Sequence, residues 1–107
     1  MSVIVTIQLE ADPEKFERYA AENKEHMHGI AEQAKEAGLI AHRAYGAPDG
    51  RALVVVDEWP DAESFQQFFG ASQALFQPLM EAAGVTAEPS VNFWRKLETF
   101  DDVGWGA

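Results

Sequence analysis

Two unbroken apolar runs mark the centre of the predicted fold. They lie at residues 3–5 and 53–56 and consist entirely of valine, isoleucine and leucine. Successive side chains of a strand point to opposite faces of a sheet, so an unbroken apolar run predicts a strand covered on both faces. The β-branched residues favour a strand over a short buried helix. We therefore predict two central strands, the first extending to Leu9 and the second into Asp57.

Two further segments, at residues 39–45 and 91–97, also predict strands but carry more polar side chains. Before the run at residues 53–56, Pro48, Asp49 and Gly50 predict a tight turn. Proline presets its backbone angle, aspartate bonds the local backbone and glycine accepts a positive φ. This turn indicates a hairpin between the second and third strands.

The region from Asp12 to Gly38 predicts one long helix. Asp12 suits the N-cap and Pro13 the first helical position, while Gly38 suits the end of a helix that runs to about Ala37. Apolar residues at helical spacing form a stripe that would face the sheet. Its members are Phe16, Ala20, Met27, Ile30, Ala31 and Ala34. Asn23 falls in the middle of this stripe.

A second helical region follows the third strand. Asp61 suits the N-cap, and Phe65 and Phe69 lie at the spacing that turns both rings toward the sheet. Residues 72–83 also have helical character, but Pro78 removes a hydrogen bond from the helix interior. We therefore expect two short helical pieces in residues 72–83.

The order β-α-β-β-α-β predicts an α+β, ferredoxin-like domain with an antiparallel sheet of strand order 4-1-3-2. This order places the two apolar strands in the centre. The helices can cover only one face, and an exposed apolar centre on the other face is rare in monomers. We therefore expect a homodimer, a dimeric α/β barrel. The domain comprises residues 1–97, and residues 98–107 form a tail whose Trp105 would anchor on the partner.

The composition narrows the classes of partner. Eighteen acidic and eight basic residues give the 107-residue chain a net charge of −10, which argues against nucleic acid and anionic membranes. No apolar run approaches the ~18 residues of a membrane span, and the N-terminus lacks a signal-peptide pattern. The chain has no cysteine, so disulfides and thiolate metal sites are excluded. We expect an acidic, cytoplasmic, single-domain protein.

The passage from the third strand into the next helix carries a family resemblance. It reads DEWPDAESF at residues 57–65, and it continues with AS at residues 71–72 and LMEA at residues 79–82. With these residues the chain resembles the antibiotic biosynthesis monooxygenase family of the dimeric α/β-barrel superfamily, over residues 3–97. The resemblance implies the fold more than the activity, because the superfamily includes oxygenases, haem degraders, isomerases, cyclases and proteins of no known activity.

Haem-degrading relatives hold iron with a histidine that precedes the Ala-Ser pair, and they use an asparagine in the first strand. Here residues 66–69 read QQFF, and the first strand offers only Thr6 and Gln8 as polar groups. We therefore expect no haem and no other cofactor. His26 and His28 are two residues apart on a helix and cannot share a metal ion, so we expect no metal site.

Asn23 and His26 are the candidate catalytic residues. Asn23 either lines a pocket between helix and sheet as an oxyanion donor, or bonds the sheet or a water molecule. His26 either accepts a proton or pairs with Glu22 on the helix surface. His28 is expected in solvent, and the acidic residues 57–58 are expected as a surface pair at the strand end.

The candidate pocket is lined by large side chains. We assign to it Tyr19, Met27, His42, Trp59, Phe65, Phe69 and Trp94. Neighbouring residues of a strand face opposite ways, so whether His42 or Arg43 faces inward stays open.

Two functions fit these residues. The resemblance implies a cofactor-independent monooxygenase of an aromatic, polyketide-type small molecule, in which the substrate itself supplies the electrons. The alternative is a non-catalytic, dimeric ligand-binding or stress-associated domain of the same fold. An empty pocket of roughly several hundred Å³ into which Asn23 and a histidine point would favour the enzyme, and a closed core would favour the alternative. The substrate does not follow from the sequence.

Overall fold

Four antiparallel strands form one sheet in the computed structural model, which describes residues 1–104. The elements are β1 (Val3–Glu10), α1 (Pro13–Glu22), α2 (Lys24–Glu36), β2 (Ala41–Gly46), β3 (Ala52–Trp59), α3 (Ala62–Ala71), α4 (Gln73–Ala82) and β4 (Ser90–Trp94). The sheet order is β2-β3-β1-β4, which is the predicted order 4-1-3-2 read from the other edge. The ferredoxin-like fold is confirmed. Trp105, the predicted anchor, lies outside the described residues.

The two central strands turn alternate side chains toward the helices. In their pairing, Val5 lies opposite Asp57 and Ile7 lies opposite Val55. The buried core gathers on this inner face and consists of Val5, Ile7, Leu9, Ala11, Ala34, Leu53, Trp59, Phe65 and Ala83. Val56 has the opposite parity to Val55 and points away from the helices.

The helices of residues 1–104 all pack on the inner face, which leaves the other side of the sheet, here called the outer face, uncovered. Tyr45 and Trp94 lie there, 47% and 55% exposed. The indole N–H of Trp94 donates to the hydroxyl oxygen of Thr6 at 2.8 Å. The prediction that Trp94 lines the pocket is therefore wrong. The β4 residues with inward parity are Phe93, which pairs with Val5, and Val91, which pairs with Ile7.

The long helix predicted between Asp12 and Gly38 is two helices, and the break lies at Asn23. The Asn23 backbone leaves helical values, with φ −133° and ψ 47°. Its side-chain Nδ2 donates to the carbonyl oxygen of Tyr19 at 2.9 Å, while its backbone N–H bonds Ala20. The side-chain amide thus replaces the backbone donor that Tyr19 would have in a continuous helix, a competition typical of asparagine.

Residues 72–83 contain one helix, not the two short pieces that were predicted. Helix α4 runs through Pro78 without interruption. Proline cannot donate to the carbonyl oxygen of Ala74, four residues earlier. Both residues are exposed, so water can bond that carbonyl. Ser72 occupies the N-cap position without a side-chain capping bond.

The predicted helix ends at Asp12, Asp61 and Gly38 are confirmed. Asp12 accepts hydrogen bonds from two backbone N–H groups of the first turn of α1. Asp61 accepts one from the Ser64 N–H at 2.7 Å, and this bond, with the Ser64 hydroxyl, lowers the pKa of the Asp61 carboxyl. Gly38 takes a φ of +118° just after α2. Within residues 1–104, no helix combines the length and apolarity needed to span a membrane.

Candidate functional site

A cavity of about 280 Å³ lies between the inner face of the sheet and the helices. Its apolar lining comprises Ile7, Leu9, Phe16, Met27, Ile30, Ala31, Ala34, Leu39, Val55, Trp59, Phe65, Phe68, Phe69, Phe76, Leu79 and Met80. Three titratable side chains complete it: His28, His42 and Asp57. All four helices and the strands β1 to β3 therefore contribute to one apolar chamber with few polar groups.

Aromatic rings form one wall of the cavity. Phe65, Phe68 and Phe69 project from one side of α3, because residues three and four apart are neighbours on a helix surface. The rings of Phe65 and Phe69 stack, with centroids 5.3 Å apart and planes at 19°. Trp59 meets Phe65 edge to face at 5.9 Å, and Phe76 lies 5.5 Å from Phe69. These contacts hold the rings in place and make this wall apolar.

One polar cluster, formed by His42, Asp57 and Trp59, interrupts the apolar lining. The Asp57 Oδ1 lies 2.6 Å from Nδ1 of His42, and Oδ2 accepts a hydrogen bond from the indole N–H of Trp59 at 3.1 Å. Strand pairing sets His42 directly opposite Asp57, and Trp59 follows two residues later on the same face. Asp57 is only 6% exposed. Its two hydrogen bonds offset part of the cost of burying a carboxylate.

The expected surface position is wrong for Asp57. It shares the inward parity of Val55 and Trp59, whereas Glu58 lies on the outer face and accepts a hydrogen bond from Ser2. The sequence contained this signal, because a large tryptophan two residues away predicts a buried face for the aspartate as well.

Strand pairing also settles which residue of β2 faces the cavity. His42 pairs with Asp57 and faces inward, while Arg43 pairs with Val56 on the outer face. His28, which was expected in solvent, lines the cavity although it stays exposed. Among residues 1–104, no group of three or more His, Cys, Asp and Glu side chains lies close enough to hold a metal ion.

The structure brings together five of the predicted pocket residues: Met27, His42, Trp59, Phe65 and Phe69. Tyr19 does not line the cavity. It lies instead against the predicted catalytic residue His26, with ring centroids 6.1 Å apart.

Asn23 and His26 border a separate, open groove at the junction of α1 and α2. The prediction that Asn23 shares a cavity with Trp59 is wrong, because the helix break turns its amide back onto the Tyr19 carbonyl. Nε2 of His26 lies 3.0 Å from the carbonyl oxygen of Leu75. A carbonyl can only accept, so this nitrogen carries a hydrogen and donates it.

Comparison with known families gives one match that covers most of the chain. Residues 2–75, which include His42, Asp57 and Trp59, match the family model described as antibiotic biosynthesis monooxygenase. No curated protein matches the chain.

Solved structures share the fold over nearly the whole chain. The monooxygenase ActVA-Orf6 of Streptomyces coelicolor, solved in complex with nanaomycin D, is 18% identical, with a TM-score of 0.70 over 95% of this chain and 93% of that one. SnoaB of Streptomyces nogalater, a cofactor-independent oxygenase, is 16% identical, with a TM-score of 0.61 over 94% and 98%. A dimeric ferredoxin-like protein from an uncultured marine organism is 14% identical, with a TM-score of 0.63 over 95% and 93%. At identities this low, the structural similarity establishes a common fold and nothing more.

Proposed function

Because the chain belongs to the antibiotic biosynthesis monooxygenase family, we propose that it is a cofactor-independent monooxygenase of an aromatic, polyketide-type small molecule. The observation that carries the proposal is the cavity, whose wall is apolar except for His28 and the polar cluster. This combination is typical of sites that bind a flat ligand and orient it through a few polar contacts. The fold shared with an oxygenase that needs no cofactor, and with a monooxygenase that holds nanaomycin D, supports the same function.

The cavity favours a compact and largely apolar ligand. Its 280 Å³ lies just below the roughly 300–1,000 Å³ usual for small-molecule sites, so a few fused rings suit it better than an extended chain. The stacked rings of Phe65 and Phe69 give such a ligand a surface to pack on. Each Å² of apolar surface buried there contributes roughly 25 cal/mol to binding.

The proposed reaction needs no electron donor other than the substrate. A ring methylene that becomes a carbonyl gives four electrons to dioxygen. One oxygen atom enters the new C=O group, and the other leaves as water with the two methylene hydrogens. The protein binds the substrate, excludes bulk water and accepts a proton, so that an electron-rich anion forms.

A second copy of the chain completes the proposed enzyme by covering the outer face. The centre of this face carries Ile4, Val54 and Val56, and the exposed rings of Tyr45 and Trp94 flank it. A soluble monomer rarely leaves such a surface in water. The similar marine protein is a dimeric ferredoxin-like protein, which supports a face-to-face dimer that buries more than ~1,000 Å².

Oxygen uptake with 1,8-dihydroxyanthrone as the probe tests the proposed reaction. We expect saturable uptake of one dioxygen per product above the rate without protein. With ¹⁸O₂, mass spectrometry should find one labelled oxygen in the product. Binding without uptake would favour the non-catalytic ligand-binding domain. The absence of both binding and uptake would contradict a ligand cavity for this class of compound.

A filled cavity provides the matched comparison. Ala31→Phe adds a ring to the lining of the cavity from α2, so it should abolish both binding and uptake. Ala74→Phe adds the same ring to an exposed site on α4, outside the lining, and should keep both. Equal behaviour of the two variants would contradict the assignment of the site.

A further inference from the structure

We propose that His42 is the catalytic proton acceptor of the cavity and that Asp57 is the positioning residue that fixes its tautomer. The inference rests on the proposed monooxygenase function and identifies the group that starts the reaction. The catalytic role that the sequence predicted for His26 is thereby assigned to His42, which strand pairing holds at the cavity.

The hydrogen bonds of the polar cluster determine which nitrogen of His42 carries the hydrogen. An ionised carboxylate can only accept hydrogen bonds, and the indole N–H of Trp59 can only donate. Trp59 takes Oδ2 of Asp57, so the 2.6 Å contact between Oδ1 and Nδ1 of His42 requires a hydrogen on Nδ1. A neutral ring protonated there keeps its lone pair on Nε2. Nε2 is on the ring edge that points away from Asp57.

The surroundings of His42 suit a proton acceptor. The side chain is 48% exposed and lines the cavity, so a bound ligand can reach its ring. In the described lining, the titratable groups that accompany it are Asp57 from β3 and His28 from α2, while β1, α1, α3 and α4 contribute only apolar side chains. The imidazolium that forms on proton transfer is stabilised by the adjacent carboxylate, as in other Asp–His pairs.

The proposed step is a proton transfer to Nε2. An acidic O–H or C–H bond of the substrate breaks, an N–H bond forms at Nε2, and the electron pair stays on the substrate as an anion. That anion is the reductant of dioxygen. When reduced oxygen leaves as water, the imidazolium returns the proton to it, and His42 is neutral again.

The two other histidines, His26 and His28, lie on α2 and are placed differently. Nε2 of His26 already donates to the Leu75 carbonyl, and this residue lies outside the cavity. His28 lines the cavity from the exposed side of α2, and no carboxylate contact fixes its tautomer among the described residues. His42 alone combines a position in the lining with a fixed Nδ1–H.

Kinetics with 1,8-dihydroxyanthrone test the role of His42 in turnover. His42 lies on the exposed edge strand β2, so the His42→Gln variant should fold. We expect kcat to fall about 10²- to 10⁴-fold, the usual contribution of a general base, with little change in KM. Asp57→Asn should also lower kcat with little change in KM, because the amide can turn its NH₂ group toward Nδ1 of His42 and move the ring hydrogen to Nε2. A purely structural role would lower stability without this difference between kcat and KM.

Two measurements do not depend on turnover, and each compares the native protein with a variant. The ¹⁵N shifts of the His42 ring should show a protonated Nδ1 and an unprotonated Nε2 at neutral pH, and Asp57→Asn should change this tautomer. Bound 2-naphthol should show the absorbance of its phenolate in the native protein and not in His42→Gln.

The outcomes separate this inference from the proposed function. If the native protein oxidises the anthrone while His42→Gln keeps full kcat, the function stands and the role of His42 is overturned. A loss of kcat in His26→Gln with none in His42→Gln would also overturn it. If the native protein oxidises nothing, the proposed function fails, and the ring shifts and the naphtholate band still decide whether His42 accepts a proton from a bound ligand. A hydrogen on Nε2 at neutral pH would overturn the assignment in every case.

Discussion

The indole N–H of Trp59 donates to the carboxylate of Asp57, two residues earlier on the same face of β3. Trp59→Phe removes the donor and leaves Oδ2 of a buried carboxylate without its partner. We expect a loss of at least about 1–3 kcal/mol in the free energy of unfolding, the cost of an unsatisfied buried polar group. Urea denaturation measures this loss.

Trp94→Phe is the matched control for that substitution. It also removes an indole hydrogen bond, here to the Thr6 hydroxyl, but Trp94 is 55% exposed. With both substitutions made in a monomeric Val56→Asp background, no partner covers the outer face and water can replace the Thr6 hydroxyl, so we expect Trp94→Phe to change the free energy of unfolding by less than about 0.5 kcal/mol, as for most surface substitutions. Equal losses in the two variants would contradict the special position of the Trp59–Asp57 bond.

The helix break at Asn23 gives a second prediction. Asn23→Ala removes the hydrogen bond to the Tyr19 carbonyl and should lower the free energy of unfolding by about 0.5–1.5 kcal/mol. The affinity of the cavity for 2-naphthol should stay unchanged, because Asn23 lies outside the lining. Thermal unfolding and a fluorescence titration on the same samples provide both values. A loss of affinity without a loss of stability would return Asn23 to the binding site.

The proposed dimer predicts a different response at two neighbouring positions of β3. Val56→Asp places a charge on the outer face and should convert a species of twice the chain mass into monomer. Val55→Thr, of similar size but on the inner face, should leave the dimer intact and lower stability through its buried hydroxyl. Sedimentation velocity at micromolar concentration decides this point. A native protein that sediments with the mass of one chain would contradict the dimer.

The capping carboxylate of Asp61 should contribute to the pH dependence of stability. The backbone N–H of Ser64, followed by its hydroxyl, lowers the Asp61 pKa below the ordinary value of 3.8. This contribution is therefore present above pH 3.8 and is lost as the pH falls through the lowered folded-state pKa. Asn also caps helices but does not titrate, so Asp61→Asn should lose less stability on acidification. Melting curves of both proteins from neutral pH downward test this, and parallel pH profiles would refute it.

The sheet was predictable because its signals are local. The unbroken apolar run at residues 53–56 predicts a strand that is covered on both faces. Asp61 caps the beginning of α3 through a hydrogen bond to a residue three positions later, and Gly38 terminates α2 through its own backbone angle. Both signals are local. Pro78 misled the prediction because its cost depends on whether water reaches the carbonyl of Ala74, and exposure is a tertiary property.

The site was less predictable because its polar groups come from different strands. Nothing near His42 indicates Asp57, fifteen residues away, and only the pairing of β2 with β3 makes them neighbours. Asn23 followed the helical period of apolar residues, but its amide competes with the backbone and ends that period. Parity with Trp59 was the one local signal that identified Asp57 as buried.

The break at Asn23 also affects how the protein folds. Helix α1 has 10 residues, α2 has 13, and α3 and α4 have 10 each. Isolated helices shorter than about 12–15 residues are marginal in water, so these helices persist only when docked on the sheet. A continuous helix from Pro13 to Glu36 could form early and alone, whereas its two halves cannot. The helices that line the cavity therefore form only after the strands have paired. Folding should be a single cooperative event without a helical intermediate.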